Sequence, residues 1–135
     1  MNHVTHVLDT SAILAHYFDE PGAEILDELW SSPANRAAIS SVTAAELRGR
    51  LLRESTDAVE TESAVDSYLN DLTVCLPVDR ALAELAWQLR LASPGRLPLV
   101  DAIIAATARS VGAILVHKDP HLSQIPAGLL EQIAL

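Results

Sequence analysis

Asp9, Glu46, Asp101 and Asp119 are the residues whose types and spacing could do chemistry, because each stands where a strand ends or a helix begins. The apolar run from Val4 to Leu8 stops at Asp9, and Thr10-Ser11 then lead into Ala12-Ile13-Leu14. That pattern predicts a strand, a tight turn and a helix entered through Thr10 or Ser11 as cap. Sites in open α/β sheets are built at the carboxyl ends of the strands. Carboxylates gathered there repel one another, and some of their pKa values rise. A set of carboxylate oxygens without thiolates suits a hard cation, Mg²⁺ or Mn²⁺. Such a site can activate water and stabilise charge on a phosphoryl group in transit.

Each acid also has a plainer reading. Asp9 and Asp119, the latter followed by Pro120, could simply cap helices. Thr43 and Glu46 have the T-x-x-E spacing of a capping box. Asp101 near a helix start complements the macrodipole. The order of the elements favours convergence over four separate caps.

That order is legible from the apolar pattern. A helix from about Ala12 to Phe18 gives way to Asp19-Glu20-Pro21-Gly22, and Pro21 opens a second helix ending near Trp30. Arg36 to Val42 reads as a second strand, and Thr43-Ala44-Ala45-Glu46 opens a helix to about Arg53. From Glu54 to Asp71 there are six acids and no base, with Ala58, Val65, Leu69 and Leu72 at helical spacing. We read this as one acidic amphipathic helix. Thr73 to Val78 is a third strand, Asp79 caps a helix with Leu82, Leu85, Ala86 and Leu89 on one face, and Pro98 opens another. Ala113 to Val116 is a fourth strand, and Leu129 to Leu135 adds an edge strand. Alternating strands and helices imply a parallel sheet of four to five strands covered on both faces. Asp9, Glu46 and Asp119 then lie on one sheet edge, and the helix begun near Asp101 starts there too.

The 135 residues fit one domain, 1–135, and half are hydrophobic although few are aromatic. Cys75, the lone cysteine, sits in the apolar run Thr73-Val74-Cys75-Leu76 and is expected to be a buried core thiol. No signal-peptide pattern or membrane span is visible, because Asp101 and Arg109 interrupt the most apolar region, so a soluble, cytoplasmic protein is expected. Net charge is −9, which speaks against unspecific binding to nucleic acid. Arg50 and Arg53 follow Glu46 on its helix face, where they could pair with that acid or meet a phosphate.

Four segments carry a family resemblance: Val7-Leu8-Asp9-Thr10-Ser11-Ala12-Ile13-Leu14, Ser41-Val42-Thr43-Ala44-Ala45-Glu46-Leu47, Leu99-Val100-Asp101-Ala102-Ile103-Ile104-Ala105-Ala106-Thr107-Ala108 and Leu115-Val116-His117-Lys118-Asp119. In this order they resemble a PIN domain, and most closely the VapC-type toxins of bacterial toxin–antitoxin pairs. The resemblance implies an α/β/α sandwich and a Mg²⁺- or Mn²⁺-dependent endoribonuclease that blocks translation. It implies Asp9, Glu46, Asp101 and Asp119 as the acidic set, with Asp9 and Asp101 foremost as metal ligands and Ser11 helping to order them. It further implies a homodimer and a VapB-like antitoxin, which we expect near residues 43–71. The cation-poor composition makes a structured RNA the expected substrate.

At the fourth motif the chain departs from the family. Thr or Ser commonly stands two residues before the acid and an aromatic three residues after it, whereas this chain has His117 and Leu122. The departure leaves open a binding module whose catalysis has decayed. A zinc phosphoesterase would instead need His117 and His121 as ligands. A partly exposed histidine near the site is the plainer expectation for this pair.

Overall fold

The computed structural model describes residues 3–135, and in it the apolar runs form five short strands. They are β1 (His6–Leu8), β2 (Ala37–Ser40), β3 (Val74–Leu76), β4 (Ile114–His117) and β5 (Gln132–Ala134). All pair in parallel, in the order β3-β2-β1-β4-β5. Between them lie α1 (Thr10–Tyr17), α2 (Ala23–Ser31), α3 (Ser41–Glu54), α4 (Ala58–Asp66), α5 (Arg80–Ala92), α6 (Leu99–Ser110) and the single turn α7 (Pro120–Ser123).

The central strands alternate faces while staying apolar on both, as a sheet covered on two sides requires. Val7, Ala38 and Leu115 pack under α5 and α6, while Leu8, Ile39 and Val116 pack under α1 to α4. The result is the expected α/β/α sandwich. Alanine dominates the buried side of α6, at positions 102, 105, 106 and 108, letting that helix sit close to the sheet and to α5.

The acidic stretch turns helical later than expected, because Glu54 ends α3 and the acidic helix starts at Ala58. It breaks at Ser55–Asp57, and Asp57 caps α4 by accepting from the backbone N–H groups of Val59 and Glu60, both at 3.1 Å. Its last turn, Ser67–Asp71, widens so that Leu72 donates to the Ser67 carbonyl five residues back. Tyr68 in that turn bonds His16 of α1 at 2.6 Å, and His16 reaches Asp27 of α2 at 2.7 Å. Thus the acids face outward while the segment is tied to the layer.

Cys75 is exposed rather than buried. It lies on edge strand β3, opposite Ile39, so its face extends past the helices that cover the sheet centre. Gly22 replaces Pro21 at the helix entrance: it precedes α2 with φ +102°, and a Cβ there would lie 2.8 Å from the Leu135 Cβ. Among the described residues, no helix is long and apolar enough to cross a membrane.

Candidate active site

All four acids line one cleft of about 490 Å³ at the carboxyl edge of the sheet. Asp9 follows β1, where its N–H donates to the Val116 carbonyl of β4 at 2.9 Å. It also caps α1, accepting the Ser11 N–H on Oδ2 at 3.0 Å and the Ser11 hydroxyl on the same oxygen. Ser11 Oγ in turn accepts the Lys118 N–H at 2.9 Å, so one hydroxyl joins the ends of β1 and β4. Asp119 caps α7 through Oδ1, which takes the His121 N–H at 2.9 Å. Capping and site membership therefore coexist, since a carboxylate has lone pairs left after serving one N–H.

Glu46 does not close a capping box. The helix begins three residues earlier than that reading requires, capped by Ser40, whose hydroxyl accepts the Val42 N–H at 3.4 Å. Thr43 is buried instead, and Glu46 Oε1 accepts the Thr10 hydroxyl at 2.7 Å. Arg50 also turns away from Glu46 and pairs with Glu54 at 3.3 Å, while Arg53 donates to the Gly49 carbonyl. Both arginines line the cleft.

Electrostatics record the crowding. Asp9 is held above the usual carboxylate range chiefly by burial, which outweighs the two Ser11 hydrogen bonds, with the Glu46 and Asp119 charges adding to the rise. Asp101 is pushed up to about 7 by burial, then by the neighbouring Asp119 and Asp9 carboxylates. Asp101, Asp119 and His121 each present one donor atom, all within 4.8 Å of one another. His121 Nδ1 lies 3.1 Å from Asp119 Oδ1 and 4.0 Å from Asp101 Oδ2. This oxygen-rich set with one imidazole fits a divalent cation such as Mg²⁺ or Mn²⁺.

The two histidines flanking Asp119 part ways. His121 faces the acids and is 47% exposed, the partly exposed histidine expected near the site, whereas His117 is 1% exposed. Its Nε2 sits 2.7 Å from Oε1 of Gln132 on β5. Both ring nitrogens of His117 are engaged within the protein, so it is not placed to serve as the zinc ligand of the third reading.

Comparison with known proteins decides the family. The PIN domain profile matches residues 6–128. The chain belongs to the PIN-domain family. The fold of this PIN domain is that of VapC toxins in solved toxin–antitoxin structures. The VapBC-5 structure from Mycobacterium tuberculosis matches with TM-score 0.73 and 28% identity, covering 98% of this chain and 99% of that one. VapBC2 from Rickettsia felis, bound to a promoter DNA fragment, matches with TM-score 0.76 and 21% identity over 97% and 98% of the two chains. VapC20 of M. tuberculosis, described as a sarcin–ricin loop cleaving toxin, matches with TM-score 0.71 and 22% identity over 94% and 98%. No curated protein sequence matches significantly.

Ser11 offers a direct test of how this PIN domain orders its acids. Ser11→Ala removes the hydroxyl donated to Asp9 and orphans the Lys118 N–H. Denaturant unfolding should register a loss of about 1–3 kcal/mol. Asp9 should also titrate higher still, because the lost hydroxyl opposed its rise. Unchanged stability would mean the bridge carries no weight.

Proposed function

We propose that this PIN domain, read as the single domain 1–135, is a Mg²⁺- or Mn²⁺-dependent endoribonuclease and the toxin of a VapBC-like pair. The observation that carries the reading is the convergence of four carboxylates in one cleft, with Asp101 raised to about 7 by burial and its acidic neighbours. Such repulsion is costly in an apo protein and is offset by a bound cation.

Asp9 and Asp101 would hold the ion, with Asp119 beside them. When bound, the ion supplies a Lewis acid for the phosphoryl oxygen and lowers the pKa of an adjacent water. The protein's own part is positional. Ser11 fixes Asp9, and Thr10 fixes Glu46 where its carboxylate can orient the attacking water. Arg50, Arg53 and Lys118 line the same cleft and are placed to meet flanking phosphates. With nine bases against eighteen acids, a structured RNA recognised by shape suits this surface better than indiscriminate binding. We infer a homodimer and a VapB-like antitoxin seated over the cleft near α3 and α4, acting in the cytoplasm to restrain a block on translation.

The purified chain incubated with total RNA and Mn²⁺ should give discrete cuts bearing 5′-phosphate and 3′-hydroxyl ends. EDTA should abolish them. Cleavage that persists in EDTA, in a preparation free of other nucleases, would overturn the mechanism. A chain that binds RNA without cutting it would be the decayed module instead.

A further inference from the structure

We propose that His117 is a positioning residue for the acidic site, holding the Asp119 backbone through Nδ1 while its ring proton sits on Nε2 against Gln132. The role rests on the metal-dependent cleavage proposed above.

Hydrogen-bond chemistry assigns the tautomer. The Asp119 backbone N–H lies 3.1 Å from His117 Nδ1, and an amide N–H can only donate. Nδ1 must therefore present its lone pair, and the ring N–H falls on Nε2, 2.7 Å from Gln132 Oε1. The amide of Gln132 agrees, because its Nε2 donates to the Ile125 carbonyl at 3.4 Å and leaves Oε1 to accept. Moving the ring proton to Nδ1 would set one N–H against another in a site that is 1% exposed. Burial thus removes water as a substitute partner.

The network runs from an edge strand into the cleft. Gln132 lies on β5, in register with Leu115 of β4, and the Leu135 N–H donates to the His117 carbonyl at 2.8 Å. From His117 the contact passes to the Asp119 backbone, and from the Asp119 carboxylate to the start of α7. The i to i+2 geometry matches that of Ser40, whose hydroxyl accepts the Val42 N–H after β2. A hydroxyl two residues before the acid, as in the family pattern, could meet the same N–H. His117 supplies that acceptor from a ring and draws β5 into the support of the site.

His117→Thr and His117→Val test this as a pair. The two replacements are nearly equal in size, so any cavity is shared, and only threonine keeps an acceptor. Calorimetric Mn²⁺ titration should give affinity about tenfold weaker for the valine variant than for the threonine variant, the scale expected when support for a ligand is lost. The Asp119 amide should exchange faster in the valine variant, and kcat should fall without a matching rise in KM. Equal Mn²⁺ affinity and equal amide exchange in the two variants would overturn the proposal. Long-range ¹H–¹⁵N spectra of the wild type supply a test that needs no variant to fold: a proton on Nε2 supports the role, and one on Nδ1 refutes it. If the wild type binds no Mn²⁺, the proposed function falls, while the tautomer and the Asp119 amide still decide the part played by His117.

Discussion

Asp101→Asn is expected to raise the melting temperature of the metal-free protein and to reduce RNA cleavage by orders of magnitude. Asp101 sits in the first turn of α6, where a negative charge favours the helix dipole. Burial and the Asp119 and Asp9 carboxylates oppose that charge strongly enough to lift its pKa to about 7. The opposing effects win, so removing the charge should stabilise the apo fold, at the expense of function. Asn keeps the shape but is a poorer ligand, so most of the stabilisation given by Mn²⁺ should vanish as well. Asp9→Asn should behave similarly, because Asn still caps α1 through the Ser11 N–H. Glu46→Gln should alter stability less, since a glutamine oxygen can still accept from Thr10. Thermal unfolding of each variant in EDTA and in excess Mn²⁺, beside an RNA cleavage assay, reads all of these effects. If every variant melts like the wild type, shows no metal-dependent shift and cuts RNA equally well, the acids are only caps.

Stability of the metal-free protein should carry a component that falls as pH rises from about 4 through about 7. The folded Asp101 has a pKa of about 7 against an ordinary 3.8, so between these values the folded chain binds more protons than the unfolded chain. Each rise in pH therefore costs the folded state, by up to about 1.4 kcal/mol per pH unit for one proton. Asp9, also raised, contributes with the same sign. His6 opposes them, because burial lowers its pKa and its contribution grows as pH rises through the ordinary histidine range. Subtracting the Asp101→Asn profile from that of the wild type isolates the Asp101 component. Mn²⁺ competes with the proton for the same oxygens, so its stabilising effect should be larger at about pH 8 than at about pH 5. Melting temperatures across this range, with and without Mn²⁺, check both statements. An identical pH profile for wild type and Asp101→Asn would remove the crowding from the account.

The order of elements and the edge on which the acids gather were legible in the chain itself. Short apolar runs ending in Asp9 or just before Asp119, and helical spacing after Glu46 and Asp101, are local signals. Parallel crossover topology then puts every strand's carboxyl end on one side. The resemblance of four ordered segments to PIN domains rests on the same local runs. What local pattern could not supply was the choice of partner. Glu46 takes Thr10, 36 residues away, in place of the nearby Thr43 or Arg50 that its spacing suggested. Thr10 carries no local sign of that role, because a hydroxyl after a strand reads equally well as a cap.

His117 is the sharpest case. Its neighbours show where β4 ends, but not that the ring is buried or that Gln132 of β5, 15 residues further on, meets its Nε2. Cys75 errs in the other direction: its run is apolar enough for a core, yet β3 lies at the sheet margin, where one face outruns its cover. The break at Ser55–Asp57 falls where the sequence ends one helix and starts the acidic one, but the pairing of Arg48 in α3 with Glu62 in α4 at 3.4 Å shows only in the structure. Periodicity is a property of neighbouring residues, so sequence alone determined the strands, the helices and the edge where four acids meet. Burial and hydrogen-bond pairing depend on which distant element covers which, so only the tertiary structure decided how those acids are held.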